Sequence, residues 1–80
     1  MTTNEKVCEI IIKVKKGKVT LDQLKPEVGL RNDLGLDSLD MSEILVLAEE
    51  AFNITVDIEK AQQVNTLAEM VAGIDAYRAA

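Results

Sequence analysis

Three stretches of this chain repeat apolar residues at helical spacing, and each opens on a residue suited to capping a helix. Val7, Ile10, Ile11 and Val14 form the first. Met41, Ile44, Leu45, Ala48 and Phe52 form the second, and Leu67, Met70, Val71, Ile74 and Tyr77 the third. Residues spaced in this way share one face of a helix, so each segment has a stripe to bury. The chain has 80 residues, one Phe, one Tyr and no Trp. Its core must therefore come from Ile, Leu, Val, Met and Ala, a mix that favours helices packed on helices. The expected fold is all-α: a four-helix bundle of three longer helices and one short one, with residues 1–80 forming one domain.

The caps refine that expectation. Thr2 and Glu5 fit a capping box at the start of the first helix, and Gly17 is expected to end it. Lysines in its last turn suit the helix dipole. Residues 18–36 form a long connection, in which Thr20–Gln23 can make one helical turn before Pro26 stops it. Leu21, Leu24, Val28 and Leu30 are expected to pin this connection to the core. Asp37 is a good N-cap for a second helix over Ser38–Phe52. Ile54-Thr55-Val56 alternates like a strand but has no partner strand, so it reads as an extended connection with Ile54 and Val56 turned inward. Asp57 can cap a short helix over 58–63. Thr66 and Glu69 form a further capping box, opening a last helix that runs to about Arg78.

Charge is unevenly spread. The total is −5, yet residues 1–18 hold five lysines and two glutamates, a net +3. The remainder carries −8, and residues 37–59 contain seven carboxylates with no Lys or Arg. Phosphate backbones are repelled by such a surface, so nucleic acid is not an expected partner. Basic patches on other proteins would be attracted to it. On the second helix, Ser38, Ser42, Glu43, Glu49 and Glu50 project away from the apolar stripe, and Leu39 and Val46 fall among them. Exposed apolar residues ringed by carboxylates read as a docking surface. The lysines Lys13, Lys15, Lys16 and Lys18 read as a charge match to the end of the first helix.

Other chemistries lack their residues. There is no histidine, and Cys8 is the one cysteine, so neither a metal cluster nor an internal disulfide is expected. Cys8 reads as a small core residue. A serine hydrolase would need a base that the chain does not offer. No apolar run approaches the ~20 residues of a membrane span. A cytoplasmic monomer with no membrane association is the expectation, and Met1 with short tails suggests a free-standing chain.

The run Leu34-Gly35-Leu36-Asp37-Ser38-Leu39-Asp40 sets one serine at the point where a glycine-containing turn enters the acidic second helix. A serine displayed there, with nothing nearby to activate it, suits being modified better than attacking a substrate. With this run near the middle of an acidic helical chain, the sequence resembles the acyl carrier protein family, over nearly its whole length and without gaps from about Leu34 to Leu67. The resemblance implies the acyl-carrier type of bundle, and a carrier that is not itself an enzyme. It implies a 4′-phosphopantetheine arm on Ser38, delivered from coenzyme A by a phosphopantetheinyl transferase with magnesium, whose thiol holds acyl groups as thioesters. Asp37, Leu39 and Asp40 would shape recognition by the transferase. Asp40, Glu43, Val46, Glu49 and Glu50, with Leu39, would meet basic patches on acyl-transferring, condensing and other acyl-processing enzymes. Asp37 and Asp40 would oppose a phosphate, so the phosphodiester is expected to stay solvated, and Gly35 would leave room for an approaching enzyme.

Departures from the family pattern bear on cargo. Asp57 stands where a proline is frequent, Leu36 where some housekeeping members have Ala, and Ala48 where fatty acid carriers have a familiar Leu. A smaller Ala48 would enlarge the space in which an acyl chain can shelter. Fatty acid synthesis and a specialised lipid or polyketide pathway both fit. A D-alanyl or peptidyl carrier is an alternative, although those more often show Gly-Gly-His-Ser or Gly-Gly-Asp-Ser. An unmodified helical interaction protein of the same fold is the other alternative.

Overall fold

A computed structural model describes residues 2–79. The elements run α1 (Thr3–Val14), a 3-10 turn (Leu21–Gln23), α2 (Ser38–Phe52), α3 (Ile58–Ala61) and α4 (Leu67–Ala79). Three longer helices and one short helix match the expected architecture. Among the described residues there is no strand, only an isolated antiparallel bridge between Gly29 and Thr66. No helix of the described residues is long and apolar enough to cross a membrane.

Helix starts follow the caps. The Thr2 hydroxyl accepts from the Glu5 N–H at 3.1 Å, and Glu5 accepts from the Thr2 N–H at 3.1 Å. Thr66 and Glu69 repeat the arrangement at α4, with 3.2 and 3.0 Å. Asp57 accepts from the Lys60 N–H at 3.2 Å to open α3. These bonds occupy donors that a helix start leaves without intrahelical partners.

Helix ends differ from expectation in two places. Gly17 does not end α1. The helix stops at Val14, and Lys16 takes the left-handed conformation at φ 53°, with Gly17 at φ 83° beyond it. The Lys16 N–H reaches Lys13 O at 3.2 Å and the Gly17 N–H reaches Ile12 O at 3.3 Å. These paired bonds close the helix one residue early. α3 is shorter than the expected 58–63, because Gln62 and Gln63 lie in a turn after Ala61. At the end of α2, Asn53 is left-handed at φ 54°, a conformation asparagine tolerates well.

The core is aliphatic. Val7, Ile10 and Ile11 of α1 meet Met41, Ile44 and Ala48 of α2 and Leu67, Met70 and Ile74 of α4. Cys8 belongs to this core, and burial pushes its thiol pKa up, away from the reactive thiolate. Phe52 is half-buried beneath the Arg78 guanidinium, 4.6 Å from its ring centre. Val56 is buried and Ile54 half-buried, both turned inward as the alternation implied.

The long connection is held at both ends of its path. Leu24 and Leu30 are buried and Val28 half-buried. Leu21, expected to join them, is 66% exposed, because the 3-10 turn points it outward. Backbone bonds do the rest: the Leu30 N–H reaches Asn65 O at 2.8 Å, the Leu67 N–H reaches Val28 O at 3.1 Å, and the Ala68 N–H reaches Pro26 O at 2.9 Å. Arg31 adds a side-chain tie, donating to the carbonyls of Gln62 and Val64 just after α3. The loop before α2 is thus stitched to the loop before α4.

Candidate functional site

The turn into α2 is anchored by two leucines on either side of a glycine. Leu34 and Leu36 are both buried, and the Leu36 N–H reaches back to Leu30 O at 3.0 Å. Neither leucine stood among the expected core residues, since neither belongs to a helical repeat. Their alternation around Gly35 was the available signal. Gly35 sits at φ +71°, in a conformation that a side chain disfavours. An added β-carbon there would meet nothing within 4 Å, so backbone torsion, not clearance, is what requires glycine.

Asp37 caps the helix as expected. Its Oδ1 accepts from the Asp40 N–H at 2.8 Å, and Asp40 Oδ2 accepts from the Asp37 N–H at 3.3 Å. The two aspartates thus form their own capping box. Ser38 is the first residue of α2 and is exposed, and its hydroxyl takes no part in the cap. The cap bond goes to Asp40, not to the N–H groups of Ser38 and Leu39, which remain at the positive end of the helix dipole.

The acidic face divides into two kinds of residue. Leu39 is 67% and Val46 43% exposed, and Glu43 and Glu50 are exposed beside them. Two other acids face inward to protein partners. Asp40 is half-buried, with Oδ2 3.4 Å from Lys15 Nζ. Glu49 is half-buried too, and its Oε2 accepts from the Val56 N–H at 2.8 Å, fixing the extended segment after α2. Glu49 therefore does not project away from the apolar stripe as periodicity implied. Ser42 is likewise half-buried, accepting from Gln62 Nε2 at 2.9 Å.

An apolar cavity of about 170 Å³ lies between α2, α3 and α4, walled by Leu45, Val56, Ala61, Val64, Met70 and Ile74 among others. Ala48 is fully buried and does not line it. The space expected beside Ala48 opens around Leu45 instead.

Comparison with known proteins agrees with this arrangement. The family model described as a phosphopantetheine attachment site matches residues 5–74. An acyl carrier protein of Helicobacter hepaticus is 36% identical over 78 residues, covering 98% of this chain and 100% of the relative. One from Nitratidesulfovibrio vulgaris is 35% identical over 74 residues, covering 92% and 95%. One from Syntrophus aciditrophicus is 35% identical over 71 residues, covering 89% and 86%. With an open serine at the head of α2 and a likeness that reaches into all four helices, this chain belongs to the acyl carrier protein family, phosphopantetheine-bearing carriers that are substrates of enzymes rather than enzymes themselves.

Proposed function

We propose that Ser38 is the residue that carries the 4′-phosphopantetheine arm. The observation behind this reading is the exposed hydroxyl at the first position of α2, outside the cap and beside open space over Gly35. A phosphodiester at this position would meet a helix N-terminus, the favourable end for negative charge. Of the two nearby aspartates, Asp40 is already paired with Lys15, so it opposes that charge less than its sequence position suggests. When attached, the arm supplies a thiol that carries acyl groups as thioesters.

The chain's own residues position and present that group. Leu34 and Leu36 hold the turn, Gly35 supplies its torsion, and Asp37 fixes the start of the helix. Leu39, Glu43, Val46 and Glu50 form the exposed surface on which a transferase or an acyl-processing enzyme with a basic patch would dock. The cavity around Leu45 would shelter a short acyl chain. A cavity of ~150 Å³ holds a benzene-sized molecule, so about six carbons would fit.

Intact mass before and after incubation with coenzyme A, magnesium and a broad-specificity phosphopantetheinyl transferase tests the assignment. Wild type is expected to gain one phosphopantetheine, and folded Ser38→Ala none. A gain that persists in Ser38→Ala would place the arm elsewhere.

A further inference from the structure

α4 carries a glycine at its midpoint, Gly73. Apart from proline, glycine is the least favourable residue in a helix interior. Neither of the usual reasons for glycine accounts for this one. Gly17 and Gly35 have positive φ, and Gly73 does not. An added β-carbon at 73 would meet no atom within 4 Å outside its own stretch of helix, so no neighbour requires the side chain to be absent. Gly73 instead lines the apolar cavity of about 170 Å³. The missing side chain leaves that space open down to the α4 backbone.

The residues around Gly73 frame the gap. Met70 and Ile74 are buried and wall the cavity beside it. A turn further on, Tyr77 also lines the cavity, and its hydroxyl accepts from the Asp57 N–H at 3.1 Å, which ties this wall to the start of α3. Facing them are Leu45 of α2 and Val56 and Val64, which flank α3. These walls are hydrocarbon. The charged residue that borders the space is Lys60, which is exposed, and no carboxylate stands among the described residues that line it. An ammonium brought inside would lose its hydration and find a lysine rather than a counter-charge, whereas an aliphatic chain loses nothing polar. Leu45 also lies on the same face of α2 as Ser38, about two turns further along, so the cavity opens beneath the face on which the arm would begin.

We propose that Gly73 is a specificity-determining residue for cargo: its bare backbone makes room for the tail of a hydrocarbon acyl chain, and the aliphatic walls around it exclude an aminoacyl one. This role rests on the attachment of the arm at Ser38 and on the sheltering cavity argued above. It also accounts for a residue that weakens its own helix. A side chain at 73 would strengthen α4 and fill the space, so stability and cargo capacity move in opposite directions at this position.

The test loads wild type, Gly73→Ala and Gly73→Leu from coenzyme A, hexanoyl-coenzyme A or 6-aminohexanoyl-coenzyme A, with magnesium and a broad-specificity phosphopantetheinyl transferase. Intact mass confirms each load, and the melting temperature is then measured. Before loading, Gly73→Ala is expected to melt about 4–8 °C above wild type, because alanine restores helix propensity. In wild type the hexanoyl load should raise the melting temperature by about 5 °C over the arm alone and shift the Gly73 amide resonance. The rise should be smaller in Gly73→Ala and lost in Gly73→Leu, whose isobutyl group takes up most of a space that holds about six carbons. The 6-aminohexanoyl load should give no rise in any of the three chains. An equal hexanoyl rise in wild type and Gly73→Leu would overturn the role of Gly73; should Gly73→Leu not fold, an undiminished rise in Gly73→Ala overturns it instead. Equal rises from the two acyl loads in wild type would overturn the preference for hydrocarbon. A wild-type chain that gains no mass would bring down the Ser38 assignment as well, whereas normal loading with a melting temperature indifferent to the hexanoyl tail sinks the role of Gly73 alone.

Discussion

At Lys16 the backbone is left-handed, φ 53°, which crowds the β-carbon against the following carbonyl oxygen. Two hydrogen bonds to Lys13 O and Ile12 O hold it there, because they close α1. Glycine at this position would relieve the crowding, although its freer unfolded chain offsets part of the gain. Lys16→Gly is expected to stabilise the protein by roughly 0.5–1 kcal/mol, read from the urea midpoint at constant slope. A lower midpoint would mean that the lysine side chain contributes more than its torsion costs. Residue type pointed to Gly17 as the helix stop, and the stop came one position earlier. Glycine marks where a left-handed residue is easy, whereas the bonds that impose the conformation leave no mark in composition. Gly35 shows the converse. Its identity was legible, but the torsion of +71° that calls for glycine there was not.

Among the elements, the helices with capping boxes were the most legible, because a side chain and a spacing announce them. α4 shows what such a box contributes. Glu69 Oε1 accepts from the Asn65 and Thr66 N–H groups, both at 3.0 Å. Bonds from these N–H groups favour the charged carboxylate and hold its pKa below the ordinary glutamate value. Glu5 is held low in the same way by the Thr2 N–H. A lowered folded pKa means stability that is fully present above the unfolded value, about 4.3, and lost as pH falls through the folded value. Glu69→Gln keeps an acceptor and removes the charge. Its denaturation midpoint should lie below wild type at pH 7, and the two should converge as pH falls below the glutamate range. A gap that persists at low pH would mean that shape, not charge, makes the difference. The connection over 18–36 was far less legible. Its apolar residues indicated which side chains turn inward, apart from Leu21. Nothing in residue type announced the backbone bonds from Pro26, Val28 and Leu30 to residues 65–68, since any residue can make them. Arg31 was similarly silent, because its role depends on the carbonyls after α3 standing within its reach.

For the molecule as a whole, charge is segregated along the fold: lysines gather toward the end of α1, and carboxylates cover α2. Where the two regions touch, at Lys15 and Asp40, they neutralise each other. The surface proposed for docking is the exposed part of α2, where Leu39 and Val46 are set among Glu43 and Glu50. Periodicity placed Glu49 on that same surface, because it cannot foresee that the chain after α2 folds back and presents the Val56 N–H to it. The distinction has a measurable consequence for transferase binding. Reversing Glu43 and Glu50 together, Glu43→Lys/Glu50→Lys, removes exposed charge without breaking a structural bond. Association should slow most at low ionic strength and approach wild type as salt shortens the Debye length below about 8 Å, with the melting temperature nearly unchanged. Glu49→Lys instead deprives the Val56 N–H of its acceptor, so its main effect should be a lower melting temperature that salt does not restore. Stopped-flow association across a salt series, paired with thermal melts, separates the two. If Glu49→Lys slowed association with the same salt dependence and left the melt untouched, Glu49 would belong to the docking surface after all and its bond to Val56 would be dispensable.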